Sequence, residues 1–125
     1  GIASAHGCEV TVEMDPGYPV TINDAQFTQF LTEVARDTIG ADSVIELPAP
    51  VMGAEDFSYV LTRTPGAMAF LGVCPPEVLN PLAAPACHSN RMKLHEEAMA
   101  TGVALHVAVA ERFVTRPPSW LERLH

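Results

Sequence analysis

Apolar and polar residues alternate from Cys8 to Met14, with Val10, Val12 and Met14 on one side and Glu9, Thr11 and Glu13 on the other. That is the period of a half-buried strand with one wet face. Asp15-Pro16-Gly17 is a turn signal, and Tyr18 to Ile22 resumes an extended path whose proline suits a sheet edge or a connector. At Asn23 the period becomes helical. Asn23 with Gln26 three positions on fits a capping box, opening a helix that buries Phe27, Phe30, Leu31, Val34 and Ala35 before Gly40 ends it. The change of period places a domain boundary there, because the strand before it must pair with something this chain does not contain.

Val44 to Leu47 predicts a short strand, and Glu55 to Arg63 a short helix with Phe57, Val60 and Leu61 inward, stopped by Thr64-Pro65-Gly66. Ala67 to Val73 has no polar residue, as expected of a strand covered on both faces inside an α/β sheet. Strand, helix, strand in this order is a βαβ crossover. Cys74 to Pro85 holds four prolines and reads as a surface loop. Leu94 to about Thr115 is the longest helix, apolar on nearly all sides, which implies burial beneath a sheet or another helix; Pro117 closes it. The tail, 117–125, fits a further turn, a docking segment or a loose end. The fold class is α/β, with too few strands for a closed sheet and edges that need cover.

A chain of 125 residues with 48% hydrophobic residues is long enough for one domain with a core. Seven Lys and Arg against fifteen Asp and Glu give a formal charge of -8, which repels nucleic-acid phosphates and anionic membrane surfaces. No apolar run is long enough to span a bilayer, and the first six residues lack the regions of a signal peptide, so a cytoplasmic protein is expected. Cys8, Cys74 and Cys87 cannot all pair within one chain; reduced thiols are the default, with a Cys74–Cys87 bridge left open.

Two stretches are candidates for chemistry. His88-Ser89 sits between the last strand and the last helix, where α/β sheets place ligands. A histidine there serves as a metal ligand, a base, or a hydrogen-bonded packing residue, and for a lone loop histidine the last is the default. Met52-Gly53-Ala54-Glu55-Asp56-Phe57 leads small residues into a helix N-terminus, where free N–H groups hold anions; Glu55 and Asp56 read equally as acids complementing the helix dipole. His95-Glu96-Glu97 are consecutive in the first turn of the last helix, a solvated face and not a converging metal site. His106 is expected as a satisfied core histidine, and His6 and His125 lie near the termini.

Taken together, Gly17-Tyr18-Pro19-Val20-Thr21-Ile22-Asn23-Asp24, Pro50 to Tyr59, Pro65 to Gly72 and His88-Ser89 resemble, in order and spacing, the C-terminal third of metallopeptidase family twenty. The resemblance is to the amidohydrolase branch with hippurate hydrolases, auxin-conjugate hydrolases and N-acyl amino acid deacylases. It implies a zinc-peptidase-like fold in which 1–22 ends a lid or dimerisation domain, 23–116 is the C-terminal part of the catalytic domain, and 117–125 is a tail. It implies that His88 is the last protein ligand of a two-metal site, zinc or manganese, and that Gly53, Ala54, Glu55 and Asp56 line the substrate pocket. Many relatives carry Gly or Ser where this chain has Ala54. The family's other ligands and its general base have no counterpart here, so the implied activity is hydrolysis of N-acyl amino acids or small peptides by a larger enzyme, with this chain inactive and metal-free alone. The implied partners are a small substrate, and a homodimer or a pairing through an exposed sheet edge. The competing reading is a non-catalytic remnant or binding and oligomerisation module. A third, a mononuclear zinc protein built on Cys87 and His88, lacks further ligands.

Overall fold

The computed structural model describes residues 1–124, so His125 at the end of the tail lies outside them. Two long helices dominate. The first, α2, spans Ala25–Ile39 after a short α1 at Ile2–Ala5 that no periodicity announced. The second, α4, spans Ala98–Thr115 and packs against α2.

The N-cap of α2 is Asp24, one residue later than the pattern suggested: its Oδ1 accepts the Phe27 N–H at 2.8 Å. Such a cap is worth about 1 kcal/mol. Phe30, Val34 and Ala35 are buried as expected, with Phe27 and Leu31 half-buried beside them. Gly40 terminates the helix at φ 87°, a left-handed conformation that favours glycine, and its N–H donates to the Arg36 carbonyl at 3.0 Å.

Aromatic rings fill the α2–α4 seam. Phe30 meets Phe27 and Phe113 at ring-centroid separations of 5.8 and 5.9 Å, and Trp120 closes on Phe27 at 6.2 Å. Trp120 comes from the tail, which forms a 3-10 turn over Ser119–Leu124 and docks through this indole, only 9% exposed. Of the three readings open for 117–125, the turn and the docking segment are therefore both realised. At the rim, Arg112 pairs with Asp37 at 2.9 Å, an exposed bridge worth at most about 1 kcal/mol.

The expected βαβ crossover does not form: among the described residues there is no strand. Between Ala67 and Val73, Met68 gives both backbone groups to the Asn23 side chain, and the Val73 carbonyl accepts the His95 N–H at 2.9 Å. After Val44–Leu47, Pro48 and Pro50 have no N–H to donate to a ladder. Period-2 patterning reports which faces are apolar, not whether a partner strand is present. The orphan segment Cys8 to Met14 is likewise unpaired, with Val10, Val12 and Met14 exposed.

The same shortage of cover exposes the apolar faces. Phe70 and Leu71 were expected inside a sheet but are 64% and 41% exposed. No residue of α4 is fully buried; one side meets α2 while Met99, Val103 and Val107 face outward. His106 is exposed and not a core histidine. The helix expected over Glu55 to Arg63 is reduced to α3, Ser58–Leu61. His95, half-buried before the first turn of α4, is held through its backbone to Val73. All three cysteines are free thiols, and no described helix is long and apolar enough to cross a membrane.

Candidate functional site

The approach to α2 organises the cleft. Asp15-Pro16-Gly17 makes the expected turn, with Gly17 at φ 62° donating its N–H to Asp15 Oδ1 at 3.2 Å. The next residue, Tyr18, meets Tyr59 of α3 edge-on at 5.8 Å. Asn23 then donates from Nδ2 to the Met68 carbonyl and accepts the Met68 N–H on Oδ1, both at 2.9 Å. Asp24 adds a backbone bond from its N–H to the Gly66 carbonyl at 2.8 Å. Two consecutive residues thus fasten the start of α2 to the segment after α3.

Beside this fastening lies a cleft of about 520 Å³, within the usual size range of ligand sites. Gly53, Ala54 and Glu55 line it together with Asn23, Met68 and Phe70. Asp56 is exposed and outside the lining; its carbonyl accepts the Tyr59 N–H at 3.0 Å. Glu55 is half-buried, and its Oε1 accepts the Phe57 N–H at 3.1 Å. That carboxylate satisfies one donor at the entry to α3. With α3 only one turn long, the anion-holding helix N-terminus expected here is not built.

His88 stands apart from the cleft lining, exposed, at φ 73°. The Ser89 N–H donates to the Ala86 carbonyl at 3.0 Å, which makes His88 the third residue of a tight turn, where a positive φ is required. Ser89 anchors the residues after it: its Oγ accepts the Arg91 N–H at 3.2 Å and its carbonyl the Met92 N–H at 3.1 Å. The turn projects one imidazole. Among the described residues no three His, Cys, Asp or Glu side chains gather to hold a metal ion. The donor set here does not make a metal site by itself, since structural and catalytic sites need at least three protein ligands.

Sequence reasoning missed the Asn23 clamp and the Leu47 to Val51 wall of the cleft. An Asn directly before a helix-capping Asp was the available signal for the first; the second had none.

An open cleft beside a small-residue loop and an imidazole exposed on a separate turn are the site features that the described residues supply. The chain belongs to Peptidase family M20/M25/M40, whose profile matches residues 3–112. It is 34% identical over 116 residues to the IAA-amino acid hydrolase ILR1-like 4 of Arabidopsis thaliana, covering 90% of this chain and 26% of that protein. It is 39% identical over 106 residues to the N-acetyldiaminopimelate deacetylase of Enterococcus faecalis, covering 82% and 25%. With the putative amidohydrolase YhaA of Bacillus subtilis it shares 32% identity over 110 residues, covering 88% and 27%. The chain therefore spans about a quarter of the length of these relatives. No solved structure matches it significantly.

Proposed function

We propose that this chain is the C-terminal portion of a metal-dependent amidohydrolase that cleaves the amide bond of N-acyl amino acids or small peptides. The observation that carries this reading is the family match across 3–112 to relatives named as hydrolases of amino acid conjugates and acylated amino acids. In this reading His88 completes a two-metal centre, zinc or manganese, whose other ligands and base lie outside these 125 residues. An accessible imidazole suits either ion. Bound divalent ions supply Lewis-acid polarisation and an activated water in such sites. Gly53, Ala54, Glu55 and Asp56 border the substrate, with Asp56 on the rim outside the cleft. Residues 1–22 end a lid or dimerisation domain, 23–116 form the C-terminal part of the catalytic domain, and 117–125 is a tail whose Trp120 packs against Phe27.

The test is metal content and hydrolysis of N-acyl amino acids, for this chain and for a longer form carrying the preceding sequence, each with and without His88→Ala. Metal and activity in the longer form alone, lost on substitution, support the reading.

The exposed apolar face of α4 favours a second reading, a non-catalytic module that pairs with another chain or a second copy. A stable, metal-free oligomer, with a longer form that is inert, would select it.

A further inference from the structure

The end of α4 meets α2 and the tail around a second cavity, of about 430 Å³, whose lining shares no residue with the cleft beside Gly53 to Glu55. Its apolar part is Phe30 and Trp120, both buried members of the ring cluster in the α2–α4 seam. Its polar part comes from Gln29 and Glu33 on α2, and from Arg112 with Arg116 one turn on, at the C-cap of α4. Charged and amide side chains over a buried aromatic floor are at home in water. This cavity therefore does not arise from the shortage of cover that leaves Phe70 and the outer face of α4 exposed.

The polar groups divide into engaged and unengaged ones. Arg112 Nη2 donates to Asp37 Oδ2 at 2.9 Å, and Glu33 Oε1 accepts from Gln29 Nε2 at 3.0 Å. Among the described residues, no carboxylate lies within ion-pair distance of Arg116, and Glu33 Oε2 accepts no hydrogen bond. The Arg116 guanidinium offers a planar fork that matches a carboxylate, and the second Glu33 oxygen offers an acceptor for an ammonium. A simple anion would meet the like charge of Glu33, and a simple cation would meet two guanidiniums. A ligand that carries both charges leaves neither end opposed.

We propose that this cavity binds a free α-amino acid, its carboxylate on Arg116 and its ammonium on Glu33. A volume of about 430 Å³ falls within the range of small-ligand sites. The site is separate from the candidate active-site cleft, and the proposal does not depend on the amidohydrolase reading.

Trp120 is the only tryptophan of the chain, so its indole N–H signal reports on this cavity. The test is a ¹H–¹⁵N titration of the chain with L-alanine, acetate and methylammonium at one fixed ionic strength, because exposed charges are screened by salt. L-Alanine should shift the indole signal saturably and bind about tenfold more tightly than acetate or methylammonium, each of which carries one of its two charges. Arg116→Gln should remove that preference. Glu33→Gln should remove it too, while acetate binds as tightly as before or more tightly, an outcome that a merely structural role for Glu33 would not produce. Arg116→Lys keeps the charge without the fork and should retain part of the affinity. No saturable shift with L-alanine, acetate binding as tightly as L-alanine, or unchanged L-alanine binding in Arg116→Gln overturns the proposal. The titration needs neither metal nor turnover, so an inert longer form would sink the hydrolase reading while leaving this result standing. A flat titration beside an active longer form would do the reverse.

Discussion

Asn23 holds Met68 by both of its backbone groups, donating to the carbonyl and accepting from the N–H at 2.9 Å each. One side-chain amide thereby does what a neighbouring strand does in a sheet, where the N–H and C=O of one residue face the same partner. The bridge links residues 45 apart, and both of them line the cleft.

Asn23→Ala should destabilise the chain by about 1–3 kcal/mol, with loss of amide-exchange protection at Met68. Asn23→Asp keeps the acceptor and loses the donor, setting a carboxylate against the Met68 carbonyl. Its folded pKa should lie above the usual ~3.9. The stability of that variant relative to wild type should therefore be greatest at low pH and fall as pH rises through that value. Urea unfolding of both proteins across pH 3 to 7 measures the difference, and a flat one would contradict the bridge.

Trp120→Ala should cost about 3 kcal/mol, because it removes a buried indole from the ring cluster with Phe27. Thermal unfolding followed by circular dichroism reads the loss. A melting temperature equal to that of wild type would show that the tail does not dock.

Ser58 is fully buried, and its Oγ has no hydrogen-bond partner among the described residues. Ser58→Ala should raise stability by about 1 kcal/mol, since an unsatisfied buried hydroxyl costs free energy that a methyl group does not. A clear loss of stability in chemical denaturation would mean that the hydroxyl is paired in solution.

His88 at φ 73° separates backbone from side chain. His88→Ala and His88→Gly both remove the imidazole, but glycine adopts the left-handed region without penalty, so the Gly variant should be more stable by about 1 kcal/mol. Equal stability in urea unfolding would show that the turn relaxes when the side chain is removed.

The parts of the fold written in local pattern were legible in the sequence. The face of α2, its end at Gly40 and the Asp15-Pro16-Gly17 turn arise from spacing and from residues that tolerate positive φ. The strands were not, because Ala67 to Val73 has the composition of a sheet centre but lacks neighbours, and Asn23 occupies one of its pairing positions. His106 failed for the same reason, since the apolar run around it implied cover that these residues do not contain. Of the residues lining the candidate cleft, Gly53 to Glu55 lie in a motif named from the sequence, whereas Phe70 depended on tertiary placement.

The most direct test of the central claim is divalent-metal stoichiometry with amide-hydrolysis rate on N-acyl amino acids, measured on the longer form with His88 intact and with His88→Ala. Bound metal and turnover that both collapse on substitution are predicted. A longer form that binds metal and turns over substrate equally well without the imidazole would contradict His88 as a ligand, and one that does neither would contradict the enzyme itself.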